Sequence, residues 1–184
     1  HTRPANGNTL SLFFDWGAVA ADDRAMADGQ VVAWSQQQLL AEAGGPRFNA
    51  VGIYRPHLPW YVPQKYLDMY PLEDITLPQV PADDLDDVPL VGQQFTAQSS
   101  MAPMELHQWV LESGKWQEGV QAYLASVTFA DAMVGQLLDT LEKTGRADDT
   151  IIVLWSDHGW HLGEKHRWRK QTLWEESTRV PLVI

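Results

Sequence analysis

A carboxylate beside an imidazole, placed where a strand should end, is the most chemically suggestive feature of this sequence. Asp157-His158-Gly159 opens the stretch "SDHGWHLGEKHRWRK" (156–170), directly after the apolar run "TIIVLW". Such a pair suits two ligands of a divalent cation, and Gly159 lets the backbone turn sharply behind them. The plainer alternative is a strand-end Asp capping a turn next to a surface His. Lys170 closes the stretch, and its ammonium suits neutralising an anionic substrate. Lys165, Arg167 and Arg169 read as solvated cations of a basic turn, and His161, His166 and Trp168 as candidates to line a substrate pocket. Another imidazole, His57, sits in "YRPHLPW" between Pro56 and Pro59, which restrict the backbone and fix where the ring points. A His held in that way suits general acid–base work or anion binding, with a locally bonded turn His as the simpler reading.

The elements that must position these groups follow from apolar periodicity. Residues 118–145 predict a helix with Val120, Tyr123, Leu124, Val127, Val134, Leu138 and Leu141 in one stripe, ended by Lys143 and Gly145. Asp131 falls inside that stripe, so a buried, partnered carboxylate is expected there. Residues 148–157 then predict a turn and a β-branched strand. Helix, short loop and apolar strand make half of a parallel-sheet unit, and ligands of such sheets bind beyond the carboxyl ends of the strands. A further buried strand is predicted over 47–54. Were the two strands parallel neighbours, His57 and Asp157 would open onto the same sheet edge. A helix is predicted over 30–45, with Val31, Trp34, Leu39 and Leu40 mostly on one side. The Pro-, Asp- and Gln-rich stretch between Pro71 and Pro103 predicts a solvated surface loop, without the spacing or central Gly of an EF-hand. The expected fold class is α/β, part of a mostly parallel sheet flanked by helices.

Composition sets outer limits. The chain has 184 residues, 45% of them hydrophobic, which suffices for one domain with a substantial core. A net charge of −11 argues against a broad nucleic-acid-binding face. No apolar run is long enough to cross a bilayer. With no cysteine, disulfide and thiolate chemistry are absent from these residues. The nine Trp suit a sugar or aromatic ligand site, although packing is their commoner use. A start at His1 and an end on the apolar "RVPLVI" predict an internal piece of a longer protein.

Taken together these blocks resemble a known family. "TIIVLWSDHGWHLGEKHRWRKQTLWEESTRVPLVI" resembles the second signature region of the type I sulfatases, in the alkaline phosphatase superfamily. "VGIYRPHLPWYVPQKYLDMYPLEDITLP" (51–78) resembles the stretch of that family that carries an active-site His, and "YLASVTFADAMVGQLLDTLE" fits the same pattern. The resemblance is strongest to the iduronate-2-sulfatase-like branch, which has His after the metal-binding Asp, and it extends from "SLFFDWG" (11–17) to the last residue. It implies that Asp157 and His158 are two ligands of a divalent cation, usually Ca2+ with Mg2+ as the other candidate. It implies that His57 contacts the sulfate and assists leaving-group departure, and that Lys170 binds the sulfate and the bridging oxygen.

The resemblance also implies something not found in these residues. The family's nucleophile is a formylglycine made from Cys or Ser within Cys/Ser-x-Pro/Ala-x-Arg. This sequence has no Cys, and "SSMAP" lacks the Arg. The family's paired early Asp ligands and its early Lys and His are not matched either. The expectation is therefore a partial catalytic domain, without the nucleophile-bearing N-terminal part or the C-terminal subdomain, and with negligible turnover by itself. The expected partners are a small-molecule or oligosaccharide sulfate ester and the rest of a sulfatase chain, with no nucleic acid and no membrane. The implied location is periplasmic or secreted. The competing readings are a phosphomonoester or phosphonate hydrolase of the same superfamily, and a non-catalytic carbohydrate-binding pseudoenzyme.

Overall fold

A computed structural model describes residues 4–42, 44–97 and 105–184. In chain order the elements are β1 (Trp16–Val19), α1 (Ala27–Leu40), β2 (Trp60–Pro63), α2 (Gln64–Leu67), α3 (Leu90–Ala97), α4 (Glu105–Ser113) and α5 (Trp116–Lys143). They continue with β3 (Leu154–Trp155), β4 (His161–Leu162), β5 (Trp168–Arg169), α6 (Glu175–Thr178) and β6 (Leu182–Val183). The chain is α/β, the expected class. Among the described residues β1 and β2 pair parallel, whereas β3–β6 and β4–β5 are antiparallel. Two compact units result, His1–Asp74 with Gln121–Thr150, and Ile75–Val120 with Ile151–Ile184.

The first unit is built on aromatic packing around the parallel ladder. Trp16 sits opposite Trp60 in register, and their rings stack with centroids 6.0 Å apart. Phe14 meets Trp16 edge-on at 5.2 Å, and Tyr123 from α5 meets Trp60 at 5.5 Å. The buried Asp15 is satisfied by the backbone N–H groups of Ala5, Asn6 and Trp16 and by the Tyr61 hydroxyl. That set of donors is what permits a carboxylate in this core.

Helix α5 forms close to the predicted bounds, and Gly145, in the left-handed region at φ 69°, terminates the chain turn after it. Its buried face keeps Val120 and Leu141 of the predicted stripe but is otherwise Ala122, Ala125, Ser126, Phe129, Met133 and Thr140, while Val127 and Leu138 are exposed. Asp131 is exposed, which corrects the expectation of a buried carboxylate. The rotation has a physical sense: it buries Phe129 against Tyr66, ring centroids 5.4 Å apart, and leaves Asp131 in water. Helix α1 is corrected in the same direction. Asp28, Gly29, Val32 and Ser35 face inward and Val31, Trp34 and Leu40 outward. Gly29 explains this, since a Cβ there would lie 1.7 Å from the Asp23 carbonyl oxygen. The close contact needs the smallest residue at that point.

Two predicted strands are also corrected. Residues 47–54 take no regular structure and join no ladder, with Phe48 92% exposed. Instead, Asp28 accepts the N–H groups of Tyr54 and Arg55 at 2.8 and 3.1 Å. Of residues 148–157, Leu154 and Trp155 alone are in a strand, paired with β6, and Ile151 is 85% exposed. A run apolar on both faces is the composition of a covered central strand, and the described residues supply no such cover. The condition that would bring His57 and Asp157 to one sheet edge is therefore not met, and the two residues belong to different units.

In the second unit, α4 carries Leu106, His107 and Val110 inward, and Trp160, His161, Arg167 and Trp168 are buried with them. The stretch expected to be a solvated loop contains bonded turns over 81–88 and then α3, with residues 98–104 outside the described set. Among the described residues no helix is long and apolar enough to cross a membrane.

Candidate functional site

The Asp157–His158 pair lies just beyond β3, where backbone hydrogen bonding fixes one ring nitrogen. His158 Nδ1 is 2.8 Å from the Gly159 carbonyl oxygen. A carbonyl can only accept, so Nδ1 carries the proton and Nε2 the lone pair. The other side agrees: Lys170 Nζ, which can only donate, lies 2.6 Å from Nε2. Asp157 Oδ2 is 3.6 Å from the same nitrogen, on a side chain 82% exposed. Two ligands of one cation at bond lengths of 2.0–2.4 Å stand roughly 3–3.5 Å apart at a right angle. The pair therefore fits two neighbouring positions around a cation, and an imidazole whose far N–H is anchored on a carbonyl is the form that ligates metals. Among the described residues no group of three or more His, Cys, Asp and Glu could hold a metal ion. These residues supply part of a coordination sphere.

Gly159 is needed here for close packing. Its N–H donates to the Ser177 carbonyl at 2.8 Å, and a Cβ would come within 2.0 Å of the Glu176 carbonyl oxygen. The segment after the ligand pair is thus seated directly on α6.

The hairpin of β4 and β5 delivers Lys170. His161 pairs with Arg169 and Leu162 with Trp168, around a turn closed by Gly163 N–H to the Arg167 carbonyl at 2.9 Å. Lys165 and His166 in the turn, and Arg169 and Gln171 on either side of Lys170, all have left-handed φ of 52°, 55°, 76° and 71°. L-residues other than Asn and Asp adopt that region seldom.

Several predicted roles change with these positions. His161 is 0% exposed, its Nε2 bonded to Thr172 Oγ1 at 2.7 Å, and Trp168 is 1% exposed. Both rings are packed inside the hairpin, where the walls of an open pocket were expected. His166 does line a cavity of about 570 Å3, with Glu105, His107, Gln108 and Trp116 among its walls. Lys165 and Arg167 are not solvated cations. Lys165 is bonded to Asp84, Nζ to Oδ1 at 2.9 Å, and Arg167 is buried. Burial pulls the Arg167 and Arg169 guanidinium pKa values down, and it likewise favours neutral His161.

His107 escaped the sequence reading. Trp168 Nε1–H donates to its Nδ1 at 3.2 Å, the His166 ring lies parallel to it with centroids 5.3 Å apart, and Trp116 meets it edge-on. Burial, with His166 adding to it, lowers its pKa to about 4. The one available signal was its place between Leu106 and Val110 on the inward face of "ELHQWVLES".

In the first unit, His57 is anchored as its flanking prolines suggested. Nδ1 is 2.8 Å from the Leu58 carbonyl oxygen, and the Tyr54 hydroxyl lies 2.8 Å from both. The carbonyl again assigns the proton to Nδ1, leaving Nε2 as the basic nitrogen. Tyr54 was the missed partner, three residues upstream in the same quoted turn.

Comparison with known proteins adds an independent line. The family model "Sulfatase" matches residues 4–184. A sulfatase from Formosa agariphila is 45% identical over 92% of this chain and 33% of its own length. The iduronate 2-sulfatase of Homo sapiens is 35% identical over 79% of this chain and 27% of its own. Among solved structures, a phosphonate monoester hydrolase from Silicibacter pomeroyi superposes with a TM-score of 0.76 at 24% identity, covering 98% of this chain and 36% of its own. The chain thus spans about a third of the length of the curated relatives it matches.

Proposed function

The chain belongs to the sulfatase family, and on that premise we propose that the protein is a sulfuric ester hydrolase acting on a sulfated carbohydrate with a divalent cation, Ca2+ before Mg2+. Sulfatases of this family generally use a divalent cation and a formylglycine. The observation that carries the reading is the convergence of Asp157 Oδ2 and Lys170 Nζ on the lone pair of His158 Nε2. Asp157 and His158 would hold the cation, with the remaining ligands and the formylglycine coming from outside these residues. A bound cation polarises the sulfate oxygens and offsets charge as the ester is attacked.

This chain's own residues do the rest. Lys170 moves its ammonium from the His158 nitrogen to the sulfate, where it meets the negative charge of the ester and of the departing oxygen. His57, with Nδ1 fixed on the Leu58 carbonyl, presents Nε2 to carry the proton the leaving alcohol needs. His166 is the retained substrate contact, from the wall of its cavity. A sugar substrate is favoured by the relative named for iduronate, a sugar acid. Phosphonate ester hydrolysis is supported by likeness of fold alone. Export to the periplasm or exterior follows from the family reading and is checked by cell fractionation.

The test is kinetic, on the full-length protein. Sulfate ester hydrolysis should stop on chelation and return with Ca2+, and His158→Ala should weaken cation affinity by more than the roughly 10- to 100-fold that losing a hydrogen-bond partner of a ligand costs. Chelator-resistant turnover, or a phosphonate ester preferred over the sulfate, would overturn the reading.

A further inference from the structure

Nothing in the β4–β5 ladder explains by itself why Lys170 emerges where it does. The ladder has His161 opposite Arg169 and Leu162 opposite Trp168, and so few pairs cannot impose a register strongly. Its turn also places Lys165 and His166, both non-glycine, consecutively in the left-handed region. A competing turn that slipped the register by one residue would send Lys170 to the opposite face.

The restraint comes from 81 residues away. Asp84 Oδ2 accepts the Lys165 backbone N–H at 2.8 Å. Lys165 Nζ lies 2.9 Å from Asp84 Oδ1 and donates to the Asp84 carbonyl oxygen at 2.6 Å, with Asp87 Oδ1 at 3.5 Å. Asp84 thus binds the left-handed residue by its main chain and its side chain together. The acidic turn is itself fixed: Asp84 N–H bonds the Pro81 carbonyl at 3.1 Å, and the Gln93 amide bonds the Leu85 and Val88 carbonyls at 3.1 and 2.8 Å. A second hold is the His166 ring, lying at 7° to the plane of His107.

We propose that Asp84 is a positioning residue for Lys170: by clamping Lys165 it fixes the hairpin turn, and so sets the place from which the Lys170 ammonium, 2.6 Å from His158 Nε2 here, reaches the sulfate. The functional side of this rests on Lys170 being the sulfate-binding cation. The test uses the full-length protein with an aryl sulfate as the probe, and Asp84→Ala, Lys170→Ala and their double variant. Asp84→Ala should lower kcat/KM roughly 10- to 100-fold with bound cation per chain unchanged. The double variant should be no slower than Lys170→Ala alone, because the two act through one group. Multiplying losses in the double variant would overturn the proposal, as would a crystal structure of cation-free Asp84→Ala with the hairpin turn and Lys170 unmoved. If Asp84→Ala does not fold, Lys165→Met removes the side-chain half of the clamp, and wild-type rates for it would overturn the proposal too. Normal turnover by Lys170→Ala would sink the sulfate-binding reading instead, and the crystal structure would still decide whether Asp84 seats the lysine.

Discussion

An imidazole that is buried, receives an indole N–H on Nδ1 and carries a second imidazole on its face is held neutral from three directions. That is His107, with its pKa lowered to about 4. The unfolded ring, near 6.5, takes up its proton first as pH falls. The stability it contributes is therefore complete above about pH 6.5 and is lost progressively down to about pH 4, to the extent of about 3 kcal/mol. Urea unfolding of the full-length protein between pH 7 and 4 should show that loss, and His107→Gln should flatten it. An unaltered slope in the variant would rule His107 out as its source. At this scale the local anchoring of His158 and His57 was legible, because the groups that orient their rings, Gly159, Leu58 and Tyr54, are neighbours in sequence. It was misleading about Lys165 and Arg167. A basic side chain does not disclose an acidic partner such as Asp84, 81 positions away, nor its own burial.

Among elements, the seating of the ligand pair on α6 has a direct consequence. Gly159→Ala must push the Glu176 carbonyl away from a 2.0 Å approach, and main chain cannot yield cheaply. The variant should melt at lower temperature and hold its cation more weakly, both read on the full-length protein. A normal melting curve with normal cation content would show that the contact relaxes. Helix α5 gives a paired contrast. Phe129→Ala, fully buried against Tyr66, should cost about 3–5 kcal/mol, whereas Asp131→Asn on the exposed face should stay within about 0.5 kcal/mol. Chemical denaturation measures both, and a large loss for Asp131→Asn would restore the idea of a partnered carboxylate. The helices themselves were legible from periodicity, but their faces only in part, Val120 and Leu141 of the α5 stripe being buried and Val127 and Leu138 exposed. In α1 the inward side is set by close approach at Gly29, and small residues leave little trace in a hydrophobic pattern.

For the whole molecule, the fold class was legible and the sheet was not. The apolar runs over 47–54 and 151–155 have the composition of covered strands, yet Phe48 and Ile151 stand in solvent among the described residues. Composition reports what a strand is suited to, and its neighbours decide whether it pairs. With about a third of the relatives' length, two donors toward a cation and no formylglycine motif, the 184-residue chain alone should give negligible turnover of an aryl sulfate in Ca2+. The full-length protein under the same conditions should turn over. Sustained hydrolysis by the short chain would place the whole of the chemistry within these residues.

Anyone hardening this protein against heat meets a trap at its four left-handed side chains. Lys165, His166, Arg169 and Gln171 are the places where a swap to Gly or Asn relieves the backbone, at Lys165 and His166 against the loss of the Asp84 and His107 contacts. Arg169 and Gln171 flank Lys170, and the other two form the turn that sets it. Any variant there that a screen for heat resistance does select should therefore be assayed for turnover as well.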